Sequence, residues 1–257
     1  MIPLVAHQVP DLSPWFPLGD CGPATLPEHV RATGVGKWWA DDPARPRAVA
    51  VACAGHVLLG GEPQALSPKT LAPLAGHCVV APNRFLPVLG AAFGRIQPWE
   101  RMIYTHRVPA AVPRPPRGVS VRRLTADDAP ALAGLSADMA WIHASWGSPS
   151  GLAASGFAWG AFHKDQVLAV ACTYFLGSAY EDIACVTVPG HRRERLSLSC
   201  VIALCADIAA RGRRASWTCS RDNRPSRLLA WTAGFRLERE YVHHVTGASA
   251  GSVLLAA

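Results

Sequence analysis

The sequence predicts an α/β protein of two parts, and three observations support that prediction. Half of the 257 residues are apolar and 17% are charged, a balance that can bury a sizeable core and argues against disorder. Segments typical of strands and helices alternate along the chain. Four prolines between residues 109 and 118 exclude a helix interior or a central strand. We therefore expect an N-terminal α/β domain at 1–108, a linker at 109–118 and a second domain at 119–257.

The pattern in residues 1–108 is the less regular of the two. Residues 48–59 predict a strand, or a hairpin that turns near Ala54 and Gly55. We find no motif here that carries chemistry, and we expect Trp38 and Trp39 to pack in a core or a domain interface. The other predicted elements are a short helix at 71–75, a strand at 78–80, a helix at 82–93 and a strand at 101–105.

Residues 119–257 give a clearer succession of elements. A strand at 119–124 leads into a helix that begins after Thr125, with acidic residues in its first turn, and ends near Leu135. Apolar spacing predicts an amphipathic helix at 196–210, and Gly212 marks its end. The remaining predicted elements are a helix at 138–146, strands at 157–162, 167–175, 179–188 and 215–219, a helix at 225–233 and a strand at 236–245.

Charge and cysteine content narrow the class of protein. The formal net charge is +7, and arginines far outnumber lysines, which suits phosphate contacts although a GC-rich genome would give the same bias. The eight cysteines include no CxxC pair and several lie in apolar runs, so we expect buried free thiols and no metal site. The sequence shows neither a signal-peptide pattern nor an apolar stretch of about 18 residues. These features predict a cytoplasmic protein with no membrane partner.

An arginine-rich turn joins the predicted strand at 179–188 to the helix at 196–210. From Val188 to Ser197 it reads VPGHRRERLS. Unpaired N–H groups at a helix N-terminus, together with the helix dipole, favour an anionic ligand such as a pyrophosphate. Arginine side chains add charge-assisted hydrogen bonds. The turn therefore predicts an anion-binding site.

A second block, from Trp217 to Phe235, reads WTCSRDNRPSRLLAWTAGF. It places Asn223 and Ser226 at the start of a short helix, and it ends on Gly-Phe. The two blocks, in this strand and helix context, resemble those of the GNAT N-acetyltransferase superfamily over roughly residues 119–245.

The first block follows that family's pyrophosphate motif, Arg/Gln-x-x-Gly-x-Gly/Ala, with one departure. Arg192 takes the first position and Ser197 the last, small one. Arg195 stands at the middle glycine, where the backbone must approach phosphate closely, so its side chain either clasps a phosphate oxygen or blocks the cofactor. The resemblance implies that acetyl-CoA is bound by Val186, Thr187, Val188, Arg192, Arg193, Glu194, Arg195, Leu196, Ser197, Asn223 and Ser226.

The resemblance also implies a GNAT-like acyl-CoA N-acyltransferase fold. Its central sheet would be mixed, mostly antiparallel and splayed in the middle to admit acetyl-CoA. A β-bulge at residues 186–188 is expected to direct main-chain N–H groups at the acetyl carbonyl and the pantetheine. Many such enzymes are tandem, so one interpretation of residues 1–108 is a degenerate GNAT-like half, although neither block repeats there. We expect that half to shape one wall of the acceptor site.

The implied reaction is direct attack of a primary amine on the thioester of acetyl-CoA. We predict Glu181 as the base that removes the amine proton, because it lies eleven residues before Arg192, where several family members carry a catalytic glutamate. Side chains alternate along a strand, so only one of Glu181 and Asp182 can face the site. A solvated acidic pair with no catalytic role is the alternative.

The group that protonates the leaving thiolate is less well defined. Many family members use a tyrosine where this sequence has Ala230. We predict that Tyr241 takes this role, with His243, His244 or a water as alternatives. A further alternative is that these three residues are ordinary surface and core residues with no part in the reaction. Trp141, on the helix predicted at 138–146, is expected to lie near the acceptor or in the core.

Three functional hypotheses follow. The leading one is an acetyl-CoA-dependent N-acetyltransferase that acts on a small-molecule or peptide amine. The second is a non-catalytic acyl-CoA-binding or regulatory module, favoured by Arg195 and Ala230. The third is an arginine-rich nucleic-acid-binding protein, which lacks support from interleaved aromatic residues. Acceptor pockets in this fold are built from loops, so the acceptor is left open.

Overall fold

The computed structural model describes residues 1–9, 11 and 14–247. Its strands are β1 (Ile2–Leu4), β2 (Lys37–Ala40), β3 (Ala48–Cys53), β4 (His56–Gly61), β5 (Cys78–Val80), β6 (Ile96–His106), β7 (Val119–Arg123), β8 (Ala158–His163), β9 (Gln166–Leu176), β10 (Tyr180–Thr187), β11 (Arg214–Ser220) and β12 (Phe235–Thr246). Its α-helices are α1 (Thr25–Thr33), α2 (Leu86–Phe93), α3 (Ala129–Ala133), α4 (Pro149–Ala154), α5 (Leu196–Ala210) and α6 (Arg224–Thr232). Short 3₁₀ helices lie at Ala6–Gln8, Gly22–Ala24, Pro63–Ala65, Pro68–Leu74, Asn83–Phe85, Ala126–Asp128, Ala140–Trp146 and Pro189–His191.

All twelve strands form one continuous sheet. Their order is β1-β2-β3-β4-β5-β12-β6-β11-β10-β9-β8-β7. Within the described residues two neighbouring pairs are parallel, β4–β5 and β10–β11, and the other pairs are antiparallel. The predicted mixed, mostly antiparallel sheet is therefore confirmed. The order is symmetric. When each strand from β1 to β6 is replaced by the strand six places later in the chain, and each of β7–β12 by the strand six places earlier, the same order is obtained from the opposite edge of the sheet.

The two sets of strands, β1–β6 and β7–β12, exchange one strand each at the centre of the sheet. β12 pairs with β5 as well as with β6, and β6 pairs with β11 as well as with β12. The β6–β12 ladder is long, from Phe235 opposite His106 to Thr246 opposite Ile96. Residues on both sides of the proline-rich segment thus share one sheet, and the division of the chain at 109–118 stays a prediction.

Helix α5 packs on one face of the sheet, over strands of the second set. Its buried residues recur at Cys200, Val201, Leu204, Cys205 and Ile208, the spacing of a helix with one broad apolar side. They pack in one cluster with the side chains of β9 and β11. This packing fixes the position of the loop that precedes the helix.

The structure confirms the predicted elements of residues 119–257 and adds α4. In the first part, the predicted hairpin is present as β3 and β4, whereas β1, α1 and β2 are additions. The strand predicted at 101–105 is longer at its start, because β6 begins at Ile96 and pairs with β12 over its whole length. Trp38 and Trp39 lie on β2 and are buried in different clusters, one on each face of the sheet.

The eight cysteines are free thiols, and seven of them are buried, as predicted. Burial raises the pKa of the Cys205 thiol to about 12. In the described part of the chain, no cluster of three His, Cys, Asp or Glu side chains is arranged to hold a metal ion. None of the helices described there has the length and apolarity that crossing a membrane requires.

Candidate active site

A cavity of about 1470 Å³ opens where β10 and β11 separate. The two strands pair in parallel from Tyr180 opposite Arg214 to Ile183 opposite Trp217, and no further pairing follows although both strands continue. A β-bulge interrupts the β9–β10 ladder between Asp182 and Ile183. The bulge lies nearer the start of β10 than the predicted position at 186–188, which is a correction. The gap between the strands is the splay that the sequence predicts.

One end of the cavity is built by the arginine-rich loop before α5. Arg192, Arg193 and Arg195 line it. Arg195 has φ 59° and ψ 19°, and Arg193 has φ 71°, so both adopt the left-handed conformation that glycine adopts without strain. The substitution of arginine at the motif's glycine therefore keeps the backbone form of the turn.

The main chain at the start of α5 presents N–H groups to this end. The first intrahelical hydrogen bond runs from the N–H of Ser199 to the carbonyl oxygen of Arg195, at 3.1 Å. The N–H groups of residues 196–198 precede it and have no acceptor within the helix, as at any helix N-terminus. Leu196 and Ser197 line the cavity as predicted. Together with the helix dipole and the arginines, this end suits an anionic group.

Ser197 also ties the helix to β10. Its hydroxyl bonds to the hydroxyl of Thr187 and donates to the carbonyl oxygen of Val186 at 3.2 Å. The N–H of Val188 donates to the carbonyl oxygen of Leu168 at 2.8 Å. Because bonding alternates along an antiparallel strand, the N–H groups of residues 185 and 187 point away from β9, toward the gap.

Two residues predicted to bind the cofactor do not line the cavity. Val188 is occupied by its main-chain bond to β9, so its N–H is not available to a ligand. The carboxylate of Glu194 turns outward and lies 3.3 Å from Nδ1 of His191, where both side chains are exposed to solvent. These two assignments are corrections.

The second block forms the opposite wall. The side-chain oxygen of Asn223 accepts a hydrogen bond from the N–H of Ser226 at 3.1 Å and so caps α6. The hydroxyl of Ser226 accepts from Nε1 of Trp217 at 3.0 Å. Asn223 and Ser226 line the cavity, whereas Ala230 is fully buried in the core beneath the helix.

The prediction that Glu181 faces the acceptor is wrong. Its carboxylate is fully buried on the other face of the sheet, where Arg211 binds both oxygens at 2.8 and 2.7 Å. Arg213 adds a bond at 3.1 Å, and the hydroxyl of Thr173 donates a further one. The side chain therefore serves as an anchor between β10 and the turn after α5.

Asp182 is the member of the acidic pair that lines the cavity. It is 3% exposed, and its two oxygens accept hydrogen bonds from Ser216 at 2.8 Å and Thr218 at 3.0 Å. Burial raises the pKa of this carboxyl to about 6, and the two hydroxyls oppose that shift. Glu181 and Asp182 thus face opposite sides of the sheet, as expected for neighbours on a strand, and Asp182 is the one that faces inward.

Tyr241 and His243 on β12 reach the same cavity, whereas His244 points to the opposite face. Burial raises the pKa of Tyr241 to about 12, so its phenol stays protonated near neutrality. Burial lowers the pKa of His243 well below its ordinary value, and this ring is therefore neutral. Of the three residues predicted as proton donors, Tyr241 has the position and the protonation state for the task.

The far end of the cavity is lined by both parts of the chain. Leu26, His56 and Leu58 come from the first part, and Trp141 and Tyr174 from the second. The rings of Trp141 and Tyr174 meet edge to face with centroids 5.8 Å apart. The residues around this end are mostly apolar, so it suits an acceptor with an apolar body.

Arg101, which lies on β6, also lines the cavity and is not among the residues predicted from the sequence. It is 3% exposed. A charged residue directly before the apolar run Met102-Ile103-Tyr104 was the available signal, because buried strands rarely carry an unpaired charge.

Comparison with known proteins gives consistent matches. The family model for GNAT acetyltransferases matches residues 25–244, and so extends the resemblance predicted for 119–245 into the first part of the chain. A Streptomyces virginiae protein named as an uncharacterized N-acetyltransferase in the mutA 5′ region is 63% identical over 212 residues, which are 82% of this chain and 90% of that protein.

Solved structures show the same fold. A GCN5-related N-acetyltransferase-like protein from Streptococcus suis aligns with a TM-score of 0.69 at 17% identity, over 89% of this chain and 94% of that one. A tandem GNAT protein from the clavulanic acid biosynthesis pathway aligns with a TM-score of 0.60 at 14% identity, over 95% and 96% of the two chains.

Proposed function

The chain belongs to the GNAT acetyltransferase family and is an N-acetyltransferase; from that premise we propose that it moves the acetyl group of acetyl-CoA to a primary amine. The observation that supports this most is the placement of an anion-binding helix start and a buried aspartate in one cavity. The splay between β10 and β11 connects the two.

The residues at the arginine-rich end fit a pyrophosphate. The N–H groups of residues 196–198 and the side chains of Arg192 and Arg195 would hold it. The main-chain N–H groups of residues 185 and 187 would receive the pantetheine and the acetyl carbonyl. Acetyl-CoA would supply the acetyl group as an activated thioester.

Asp182 is the proposed general base. A carboxylate with a pKa of about 6 is charged at neutral pH, yet it is a stronger proton acceptor than an ordinary aspartate. The hydroxyls of Ser216 and Thr218 hold its orientation. Tyr241 is the proposed donor to the leaving thiolate, because it lines the same cavity and keeps its proton.

A thiol-release assay with acetyl-CoA over a panel of primary amines tests the proposal. Wild-type protein should release thiol, and mass spectrometry should find the acetylated amine. Asp182→Asn should lower kcat/KM by about 10²- to 10⁴-fold, the usual contribution of a general base. Binding of acetyl-CoA without turnover of any amine would overturn the proposal in favour of an acyl-CoA-binding module.

The pH dependence isolates Asp182. The ratio of wild-type to Asp182→Asn kcat/KM should fall about tenfold per unit below about pH 6, because the carboxylate gains a proton there and ceases to be a base. Division by the variant removes the ionisation of the amine itself. A ratio that does not change between pH 5 and 8 would exclude Asp182 as the base.

A further inference from the structure

Arg101 carries a buried positive charge that the protein itself satisfies only in part, through Tyr241 and through the charge of Asp182. Its side chain lies at the centre of the sheet, directly opposite Tyr241 in the β6–β12 register, and it lines the cavity. Nε and Nη1 have no hydrogen-bond partner among the described residues. The guanidinium stands 4.3 Å from the centroid of the Trp99 ring, which contacts its face and leaves those donors free.

The groups around Arg101 do not neutralise it. Burial lowers the pKa of His56 to about 3, and His243 and Tyr241 are also neutral. Asp182 is close enough for the charge of Arg101 to lower its pKa, but both of its oxygens already accept bonds from hydroxyls. An unpaired charge at this depth is costly unless a ligand supplies the missing partner.

We infer that the acceptor is an amine that also bears a carboxylate, with its carboxylate on Arg101 and its amine beside Asp182. The inference rests on the proposed function, and it adds the class of acceptor. The cavity thus offers one positive and one negative group, the complement of an amino-acid-like zwitterion. The apolar walls formed by Leu26, Leu58 and Tyr174 suit an apolar or aromatic body on that molecule.

A carboxylate fits this site better than a phosphate. A carboxylate carries the single negative charge that one guanidinium balances, and its oxygens accept charge-assisted hydrogen bonds from it. A phosphate dianion would need more positive charge than one arginine among neutral histidines, and it would meet the charge of Asp182.

The reaction on such an acceptor balances. A C–N bond forms as the thioester C–S bond breaks, and the products are an N-acetyl amino acid and the free thiol of CoA. The ammonium group of the bound zwitterion first loses one proton to solvent. The neutral amine then attacks and gives a second proton to Asp182, while the thiolate takes up one proton from Tyr241, which solvent reprotonates.

The test compares matched acceptors. A panel of amino acids with apolar side chains, phenylalanine among them, is assayed beside the corresponding carboxamides, which lack the negative charge. Wild-type enzyme should favour the carboxylates by roughly 10- to 100-fold in kcat/KM, the usual worth of charge-assisted hydrogen bonds. In Arg101→Met that ratio should fall to about one. The matched control is Arg45→Met, at an exposed arginine outside the cavity, which should keep the wild-type ratio.

A binding measurement separates this inference from the proposed function. N-acetylphenylalanine, a product analogue, should raise the melting temperature of wild-type protein and of Arg45→Met, but not of Arg101→Met. If carboxamides react as well as carboxylates, the inference fails while N-acetylation stands. If no amine reacts, the proposed function fails, and the melting shift alone decides whether Arg101 binds a carboxylate. Arg101→Met should fold, because the change removes an unpaired charge from the interior.

Discussion

The parallel pairs β4–β5 and β10–β11 occupy equivalent places in the sheet, but the segments that connect their strands differ. After β10, an arginine-rich loop leads into the fifteen-residue helix α5. After β4, the chain forms the 3₁₀ helix Pro68–Leu74, whose first residue is a proline and whose interior holds another. The N–H of Ser67 is bonded to the hydroxyl of Thr70 at 3.2 Å, so this helix start is closed by its own residues.

The arginines beside the two strand pairs also differ in where their side chains point. Arg192 and Arg195 turn toward the cavity, whereas Arg84, beside the end of β4, donates to the carbonyl oxygen of Gly61 at 3.2 and 3.0 Å. β4 contributes His56 and Leu58 to the acceptor wall instead. The two pairs share one strand topology, and the segment that connects their strands determines whether arginine side chains line the cavity.

The largest loss of stability is expected when the ion pairs that hold β10 to the turn after α5 are removed. Glu181→Gln should lower the free energy of unfolding by about 2–3 kcal/mol, because it leaves Arg211 and Arg213 without their buried counter-charge. Their own partial exposure keeps the loss below that of a fully buried pair. Urea unfolding measures it, and kcat per folded molecule should change little. A stable Glu181→Gln protein without turnover would restore Glu181 as the base.

The two strand pairs should also differ in how their arginines affect the affinity for CoA. Arg192→Ala combined with Arg195→Ala should raise the Kd for CoA about 10- to 100-fold, because charge-assisted contacts to the pyrophosphate are lost. The equivalent change in the other strand pair, Arg84→Ala, should leave the Kd unchanged. Isothermal titration calorimetry at fixed salt provides the measurement, since added salt weakens such contacts. Equal losses in both variants would remove the distinction between the pairs.

The smallest expected effect concerns backbone strain. Arg195→Gly should stabilise the fold by roughly 0.5–1 kcal/mol, since glycine adopts the left-handed conformation without a clash. Ala54, in the β3–β4 turn with φ 49°, offers a matched control, and Ala54→Gly should gain a similar amount. Thermal unfolding compares the two, and we expect weaker CoA binding in Arg195→Gly alone. A fall in melting temperature in both variants would show that neither turn is strained.

Local patterns made much of the second part of the chain predictable. The bounds of α5 follow from its apolar spacing and from Gly212, and the arginine-rich loop before it could be identified from the sequence. The inward member of the acidic pair could not be deduced in the same way. Alternation shows that Glu181 and Asp182 face opposite sides, but the face that becomes the cavity depends on β11 and on the arginines after α5.

Long-range pairing explains what else was missed. β6 was predicted as a short strand of the first part, and nothing near Arg101 in sequence shows that it lies between β11 and β12. Asp182, Tyr241 and this arginine meet only when strands far apart in the chain are paired. The apolar end of the cavity therefore required the structure, whereas the arginine-rich loop at the other end could be identified from the sequence.

The exchange of central strands has a consequence for synthesis on the ribosome. β5 is completed early, yet its neighbour β12 is the last of the described strands in chain order. A nascent chain must hold β5 and β6 with open edges until almost all the described residues have emerged, and such edges invite wrong pairing. Maturation should thus proceed as one late, cooperative closure, and chains that stall before β12 would expose these edges to chaperones and proteases.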